Sequence, residues 1–471
     1  MIYAEGVLGV AQIQDVERRF VHLLDSAKGR RRLVSLTVEV ATPDPVAAVI
    51  GSRMASDRWF CWEQPERDRF ALAAVGSAYE SLGRGTGRFG QVAESCALIM
   101  RDRIFDEPSG MPPGAGAVWV GGFSFSDSGG GSSHWSSFPP ALMVMPELSL
   151  ARVGSRTLMT VNTIAGERPD EEAASRLAAR VSALSSEPLP MTDPHPSSSA
   201  TIASVEAPDH YEDAVSSAVA QIRSSAMSKV VLAREVEVTA PSAHDPAAIF
   251  RIIREQFPSC FCFCCGSPEG AFLGASPELL VRRSGAGLAT APLAGSTRRS
   301  ADPAVDDHLG EQLLRSAKNR HEHEVVVKRI ERALRRHAVW IEHAPEPEVI
   351  KVANIQHLAT PIHAQLSDSH SAIELAGLLH PTPAVGGEPL EQALRAIGDL
   401  EPFDRGWYAG PVGWMDALDD GEFCVALRSA LLRDRSARLF AGAGIVADSD
   451  PAAELAETEL KLDALLPLIA G

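Results

Sequence analysis

Two spacings of hydrophobic residues recur in the second half of the chain and predict its helices and strands. Val215, Val219 and Ile222 follow one another at helical spacing, which predicts a helix over residues 209–228. Directly after it, Lys229–Thr239 is strand-like and reads as a buried strand, with Val230, Leu232, Val236 and Val238 among its apolar residues. The same patterns predict two strands within residues 261–282, a helix over 308–337 broken near Asn319, a pair of strands at 423–432 and 437–446, and a closing helix over 450–468 capped by Asp450.

Strand pairs joined by short turns thus mix with long helices, and strict alternation of single strands and helices is absent. This order is typical of an α+β fold with largely antiparallel sheets. Loop-forming compositions mark residues 107–115, 127–140 and 187–208. The last of these separates an N-terminal part, residues 1–200, whose pattern is indistinct, from a C-terminal part, residues 201–471, which holds the motifs described below.

Composition narrows the class of protein. The chain has 471 residues, 45% hydrophobic and 22% charged, which indicates a globular protein. A net charge of −17 argues against nucleic-acid binding, and an acidic substrate would need a metal or a few placed cations. No apolar run is long enough to span a membrane, and residues 1–5 lack the features of a secretory signal. We therefore expect a cytoplasmic protein whose seven cysteines stay reduced.

Lys229 is the most informative single residue. It begins the run that reads as a buried strand, and a lysine in such a strand is pushed toward its neutral form, in which it can accept a proton. Downstream lie Ser-Pro-Glu at 276–278, His-Glu-His-Glu at 321–324 and Glu-x-x-Glu at 454–457. Together these segments indicate a base, an acid and a magnesium site for an acidic small molecule.

The glutamates allow two interpretations. Glu322 lies four residues before Val326 and eight before Ile330, which places it on the core-facing side of its helix. Glu454 and Glu457 share a face of the closing helix. Carboxylates on buried faces need a cation, and Mg²⁺ favours such hard oxygen ligands. Taken alone, the helices fit ordinary solvated faces better than a metal site.

Zinc is disfavoured. His321 and His323 are two residues apart and point to different sides of a helix. The cysteines at 260, 262 and 264 alternate as on a strand, and the C-x-x-C formed by Cys262 and Cys265 has no second copy, so small buried side chains are the better interpretation.

Three glycine-rich segments remain. The G-x-G-x-x-G at 85–90 fits a plain turn better than a dinucleotide site, because no second strand with a ribose-binding acid follows it. The segments 292–299 and 441–445 fit an anion site, since glycines let backbone N–H groups approach a carboxylate. Each of the two is also an ordinary turn when taken singly.

Taken together, the segments resemble the chorismate-utilising enzymes, most closely the isochorismate synthases of the menaquinone or siderophore type. The order and spacing match from about residue 205 to the end, and residues 121–125 with Trp135 and Phe138 resemble the weaker N-terminal pattern. The matching stretches are Lys229-Val-Val-Leu-Ala-Arg234, Phe272-Leu-Gly-Ala-Ser-Pro-Glu-Leu279, Pro292-Leu-Ala-Gly-Ser296, Asn319-Arg-His-Glu-His323, Gln356-His-Leu358, His380-Pro-Thr-Pro-Ala-Val-Gly-Gly387, Arg405-Gly-Trp-Tyr-Ala-Gly410, Ala441-Gly-Ala-Gly-Ile445 and Glu454-x-x-Glu-Thr458.

The resemblance implies one large α+β domain, with two packed antiparallel sheets flanked by helices. Residues 1–200 would then contribute strands to the same sandwich, and residues 201–471 would form its chorismate-binding catalytic part. The activity implied is the Mg²⁺-dependent conversion of chorismate to isochorismate, by attack of water at C2 and loss of the C4 hydroxyl.

The resemblance also implies roles for residues at matching positions. Lys229 corresponds to the general base that activates water, and Glu278 to the general acid that protonates the departing hydroxyl. Glu278 must hold its proton near neutral pH, so burial or the substrate's charge should raise its pKa. The magnesium ligands would be Glu322, Glu457 and Glu454, and the substrate-binding residues would be Gly295, Ser296, His357, Tyr408, Arg428, Gly442, Gly444 and Lys461.

Related activities remain as alternatives. A salicylate synthase would go on to eliminate pyruvate from isochorismate, although such enzymes generally carry threonine where this chain has Ser296. An anthranilate or aminodeoxychorismate synthase would take ammonia from an amidotransferase partner, which the water-using pattern at 229–234 disfavours. A non-catalytic chorismate-binding protein would have no use for Lys229 and Glu278. We expect no amidotransferase subunit and a monomer.

Overall fold

The computed structural model describes residues 7–42, 44–191, 199–224, 227–352 and 354–471. Helices of the described residues are α1 (Val10–Ala27), α2 (Pro45–Gly51), α3 (Arg88–Arg101), α4 (Asp170–Ser182), α5 (Pro208–Ser224), α6 (Pro246–Gln256), α7 (Pro303–Arg315), α8 (Ala317–Leu334), α9 (Ala372–Leu379), α10 (Leu390–Leu400), α11 (Pro451–Leu462) and α12 (Leu466–Ala470).

The strands, in chain order, are β1 (Arg32–Val40), β2 (Trp59–Gln64), β3 (Phe70–Val75), β4 (Tyr79–Gly83), β5 (Ile104–Asp106), β6 (Val118–Phe123), β7 (Ala141–Met145), β8 (Leu148–Val153), β9 (Arg156–Ala165), β10 (Thr201–Ser204), β11 (Lys229–Thr239), β12 (Phe261–Ser267), β13 (Gly270–Ser276), β14 (Leu279–Ser284), β15 (Gly287–Ala291), β16 (Leu293–Arg298), β17 (Ala338–His343), β18 (Glu348–Val352), β19 (Ile355–Ala359), β20 (Ile362–Leu366), β21 (Gly387–Glu388), β22 (Pro411–Asp416), β23 (Gly421–Val425), β24 (Ser429–Arg433) and β25 (Ser436–Ile445).

Two large sheets dominate the fold. The larger has the order β10-β11-β25-β24-β13-β12-β2-β3-β8-β9-β1-β5, with the short β21 also paired to β11. The second has the order β17-β20-β15-β14-β23-β22-β6-β7-β4, and β16-β19-β18 form a small third sheet. Among the described strands, only β1 and β5 pair in parallel. The prediction of an α+β fold with antiparallel sheets is confirmed.

Strand pairing joins the two parts of the chain. In the large sheet β2 pairs with β12, and in the second sheet β6 pairs with β22. One hydrophobic core contains residues of both sheets, including the buried Trp62 of β2 and Trp119 of β6. Across the two sheets, the rings of Phe70 and Trp414 stack with centroids 5.6 Å apart. The division of the chain near residue 200 stays a prediction.

β12 shows how alternation separates two cores. Phe261 and Phe263 belong to the core between the sheets, whereas Cys260, Cys262 and Cys264 belong to a second core, which includes residues of α1, α2, α4 and α6. All seven cysteines are buried and none forms a disulfide. The interpretation of these cysteines as small buried side chains is confirmed.

Four predicted elements have different bounds in the structure. The two strands predicted within 261–282 are three, since the second one ends at Ser276 and β14 follows it in the other sheet. The predicted helix over 308–337 is two helices, and it breaks at Ser316 because that side chain caps α8 by accepting from the N–H of Asn319. The predicted strand over 423–432 is two strands, β23 and β24, in different sheets. Between them Arg428 has φ +45°, where the chain crosses from one sheet to the other. The closing helix ends at Leu462.

Some predictions fall outside the described residues. These are the statement about residues 1–5, the middle of the loop at 187–208, and residues 225–226 of the predicted helix over 209–228. Within the described part of the chain, no helix combines the length and apolarity needed to cross a bilayer.

Candidate active site

One cavity collects the residues singled out in the sequence. Its empty space, including the part open to solvent, is about 980 Å³. The predicted residues that line it are Glu278, Gly295, Ser296, Glu322, His357, Tyr408, Arg428, Gly442, Gly444, Glu454, Glu457 and Lys461. Residues 85–90 do not line this cavity; they lie at the beginning of α3.

Lys229 lies directly behind the wall of this cavity. It is the first residue of β11, its side chain is 2% exposed, and its Nζ donates to Oε1 of Glu322 at 2.7 Å. Its Cε passes so close to Gly444 that a Cβ built there would be 3.0 Å away. The amine therefore lies next to two residues that line the cavity, Glu322 and Gly444.

Glu278 follows the break between β13 and β14. It is 2% exposed, and burial raises the pKa of its carboxyl to about 8, although the positive charge of Lys229 acts in the opposite direction. Its backbone is fixed, because Glu278 N–H donates to Oγ of Ser276 and Glu278 O accepts from Val425 N–H at 3.1 Å. A carboxyl in this setting carries a proton at neutral pH, as expected for a general acid.

Three carboxylates face the cavity, and each is paired with its own lysine. Besides the Lys229–Glu322 pair, Lys461 Nζ lies 2.7 Å from Oε1 of Glu457. Burial alone would raise the pKa of Glu457, but Lys461 and the hydroxyl of Ser296 more than offset this effect and lower it. Lys461 and Ser296 thus keep the Glu457 carboxylate ionised despite its burial.

The third pair includes a residue that the sequence did not single out. Lys318 Nζ lies 3.4 Å from Oε1 of Glu454, which is 4% exposed and whose pKa is raised by burial. Lys318 is four residues before Glu322, so helical spacing could have indicated that the two share a face. Each of the three carboxylates is thus paired with a lysine. Among the described residues, no group of three acidic, His or Cys side chains is close enough to hold a metal.

Arg428 and His357 also line the cavity. Arg428 Nη2 donates to Nε2 of His357 at 2.8 Å. Burial, together with the charges of Arg428 and Lys461, lowers the pKa of His357 well below its usual value, so the imidazole is neutral and its Nε2 accepts. No carboxylate in the described residues forms an ion pair with Arg428. This buried cation is therefore suited to an anionic ligand.

The two glycines of β25 direct backbone groups toward the cavity. Val231 N–H donates to Gly386 O and Ala233 N–H donates to Oε1 of Glu401, so both residues turn their backbone groups away from β25. Facing residues of an antiparallel pair either bond to each other or both turn away. Gly444 faces Val231 and Gly442 faces Ala233, so both glycines turn their N–H and C=O groups to the other edge of β25.

That edge borders the cavity. β24 pairs with β25 only as far as Leu439, three residues before Gly442. Lys461 reaches the same edge, where its Nζ donates to Gly442 O at 2.8 Å. The N–H groups of Gly442 and Gly444 are thus directed to where an anion can accept from them.

Two further predicted residues border the carboxylates. Gly295 has φ +76°, and a Cβ there would be 3.0 Å from Cβ of Asn319, so both its conformation and its close contact with α8 favour glycine. Ser296 Oγ donates to Oε1 of Glu457 at 3.1 Å. On α8, His321 is exposed, whereas His323 is buried and bonds to Thr360, so the histidines point apart as predicted.

Three other lining residues were not predicted to have a role, although two of them lie in stretches that match the family. Arg405, Val385 and Phe440 lie on the cavity wall, and Tyr408 stacks on Phe440 with centroids 5.1 Å apart. Each is an ordinary buried or ion-paired residue in its local sequence. Only the packing of distant elements brings them to the site.

Comparison with known proteins agrees with this arrangement. The family model described as chorismate binding enzyme matches residues 18–470. The salicylate biosynthesis isochorismate synthase of Pseudomonas aeruginosa is 38% identical over 443 residues, covering 93% of this chain and 90% of that protein. Isochorismate synthase MenF of Bacillus subtilis is 32% identical over 472 residues, covering 98% and 99%.

A solved structure has the same fold over nearly the whole chain. MenF, the menaquinone-specific isochorismate synthase from Escherichia coli, superposes with a TM-score of 0.79 at 26% identity, covering 96% of this chain and 99% of that one. The family match extends over almost the full length, including the N-terminal part whose pattern is indistinct. The protein therefore belongs to the family of chorismate-binding enzymes.

Proposed function

We propose that this protein is an isochorismate synthase, which converts chorismate to isochorismate. The observation that carries the proposal is one cavity lined by a protonated carboxyl, Glu278, and a buried cation, Arg428, with the buried amine of Lys229 bonded to Glu322 of its wall. Chorismate has two carboxylates and a ring that exchanges a hydroxyl, so it needs such a set of groups. The names of the relatives support the same reaction.

The proposed reaction balances with water alone. In its neutral form, Lys229 Nζ accepts a proton from water as the oxygen bonds to C2 of the ring. The C1=C2 pair of electrons then moves to C1–C6, and the C5=C6 pair moves to C4–C5, which breaks the C4–O bond. Glu278 donates its proton to the departing hydroxyl, which leaves as water. One water molecule enters and one leaves, and no oxidant or amine donor is required.

The remaining residues hold the substrate. Arg428 and Tyr408 would bind the enolpyruvyl carboxylate, because a guanidinium and a phenol both donate hydrogen bonds to it. Backbone N–H groups of Gly442 and Gly444 would bind a carboxylate at the open edge of β25. Gly295, Ser296, His357 and Lys461 complete the walls. The binding energy would thus fix C2 near Lys229.

Mg²⁺ fits the acidic side of the cavity. Glu322, Glu454 and Glu457 offer hard oxygen ligands, and Mg²⁺ in proteins takes one or two carboxylates together with waters and substrate oxygens. Bound there, the ion would supply positive charge for the ring carboxylate of the substrate. In the structure three lysines balance these carboxylates, so we expect metal binding to compete with them.

Glu457→Gln is expected to weaken Mg²⁺ binding about tenfold or more, because it removes one ionised ligand. Titration calorimetry of Mg²⁺ without substrate measures this directly. Glu459→Gln is the matched control, since Glu459 lies on the same helix with its side chain 61% exposed. Equal Mg²⁺ affinity of the two variants would refute the ligand assignment.

Gly444→Ala tests the crowding behind the cavity. A Cβ at this position would be 2.6 Å from Oε1 of Glu322, so the carboxylate must shift, and Lys229 with it. We expect a fall in kcat of at least tenfold, measured by product formation. Gly398→Ala is the control, because a Cβ in that helical position meets nothing within 4 Å. Normal turnover by Gly444→Ala would show that the Glu322 position does not matter.

A product assay tests the proposal as a whole. Purified protein is mixed with chorismate with and without Mg²⁺, and isochorismate, salicylate, pyruvate and aminated products are separated. We expect isochorismate alone, and only with Mg²⁺. Stoichiometric pyruvate with salicylate would instead identify a salicylate synthase. Aminated product from an ammonium salt would identify an amine-using enzyme.

The proposed reaction also bears on partner subunits, oligomeric state and location. Chorismate and water are the only reactants, so no amidotransferase subunit is needed and a monomer suffices. We place the reaction in the cytoplasm, a proposal supported by seven buried cysteines without disulfides.

A further inference from the structure

The outer edge of β11, the strand that carries Lys229, is covered in two separate pieces. At its beginning, Lys229 and Val230 pair with β21, and Val231 N–H donates to Gly386 O. Further along, β10 pairs with β11 from Val236 onward. Between these pieces lie the carbonyl of Val231 and the N–H of Ala233. Buried backbone groups require partners, so something else must satisfy them.

A buried ion pair fills this gap. Arg405 Nη2 donates to Val231 O at 2.8 Å, and Oε1 of Glu401 accepts from Ala233 N–H at 2.7 Å. The two side chains also bond to each other, with Arg405 Nε 2.8 Å from Oε2 of Glu401, and both are 3% exposed. Together they take the place of a missing piece of strand.

The same pair contacts other walls of the cavity. Arg405 Nη1 donates to Val385 O at 2.9 Å, and Arg405 O accepts from Tyr408 N–H at 2.9 Å. Across β11, the two residues that the pair holds face Gly444 and Gly442. One ion pair thus connects the strand of the amine, the two glycines and the tyrosine.

We propose that Glu401 and Arg405 are positioning residues. They hold β11 in the position that places Lys229 Nζ for its reaction. This inference rests on the proposed function. A buried ion pair is weak evidence for stability, because apolar side chains of equal volume often serve as well. Apolar side chains could not, however, satisfy the Val231 carbonyl and the Ala233 N–H. A displacement of 1 Å at a reacting group can cost about a hundredfold in rate.

Arg405→Lys is the central test. Lysine keeps the charge but lacks the planar fork, so it cannot bond to Glu401, Val231 and Val385 together. We expect kcat to fall 10- to 100-fold while KM for chorismate changes less than threefold. Amide hydrogen exchange in a peptide covering 229–235 should become faster. Glu401→Gln, which keeps an acceptor for Ala233 N–H, should lower kcat less and serves if Arg405→Lys fails to fold.

Arg395→Lys is the matched control. Arg395 and Glu391 form the same kind of pair, four residues apart on α10, but both are well exposed. This variant should match the wild type in kcat and in the rate of amide hydrogen exchange over 229–235.

The outcomes separate the two proposals. Wild-type kcat or unchanged amide hydrogen exchange in folded Arg405→Lys would overturn the positioning role. A rise in KM without a fall in kcat would overturn it as well, because it indicates that Arg405 binds the substrate directly. A wild-type protein that forms no isochorismate would refute the proposed function, while the exchange comparison would still report whether the pair holds β11.

Discussion

Lys229→Ala is expected to abolish isochorismate formation, with kcat reduced at least a thousandfold and chorismate affinity changed only a few fold. A positioned general base contributes about 10²–10⁴ in rate, and the described structure offers no second amine that can replace this one behind Gly444. The substrate carboxylates would still meet Arg428 and the glycine N–H groups. Stopped and continuous assays give kcat, and calorimetry with the inactive variant gives affinity.

Two comparisons make this result interpretable. Lys229→Met keeps the volume of the buried stem, so its failure to react would not be due to a cavity. Lys328 and Glu324 form an ion pair on the exposed face of α8. Lys328→Ala removes this lysine and should leave kcat unchanged. Turnover near the wild-type rate by Lys229→Met would exclude Lys229 as the base.

The position of Lys229 was predictable because it follows from the residues next to it in the sequence. The strand-like run over 229–239 gives β11 and its bounds, and the alternation of side chains along β12 places Cys262 and Phe263 in different cores. Helical spacing correctly places Glu322 on the side of Val326. Where one face of an element is buried, the sequence pattern records which side chains are inside.

The crossing at Arg428 was not predictable in this way. Both β23 and β24 are buried on both faces, so residues 421–432 show a nearly continuous apolar run with no sign that the chain changes sheets. The N-terminal strands β2, β3 and β6 are hidden by the same effect, since every residue in them is buried. Periodicity disappears when neither face is exposed to solvent.

The ion pairs of the site were predictable only in part. Lys461 and Glu457 are one helical turn apart, and their pairing follows from spacing alone. Arg405 and Glu401 are also four residues apart, yet their function depends on the gap in β11, which is about 170 residues earlier in the chain. Spacing predicts the contact between the two side chains but not which backbone groups they serve.

Glu278→Gln is expected to lower kcat by about 10²–10⁴, because glutamine has the same shape but no proton to give to the departing hydroxyl. The wild-type rate should fall as pH rises through about 8, where Glu278 loses its proton. In the variant this falling limb should be absent from the residual rate. Glu269→Gln is the control, since Glu269 is an exposed glutamate in the turn before β13. A variant that keeps the wild-type limb would assign it to another group.

The same substitution should make the protein more stable at alkaline pH. The folded-state pKa of Glu278, about 8, is above its ordinary value of 4.5, so between these values the folded protein binds more protons than the unfolded one. Raising the pH through this window therefore lowers the wild-type free energy of unfolding, up to a few kcal/mol, and glutamine removes this slope. Urea unfolding at pH 5 and pH 9 measures the difference. The stability gain of Glu278→Gln over the wild type should be larger at pH 9, and an equal difference at both values would show that Glu278 is already ionised in the folded protein.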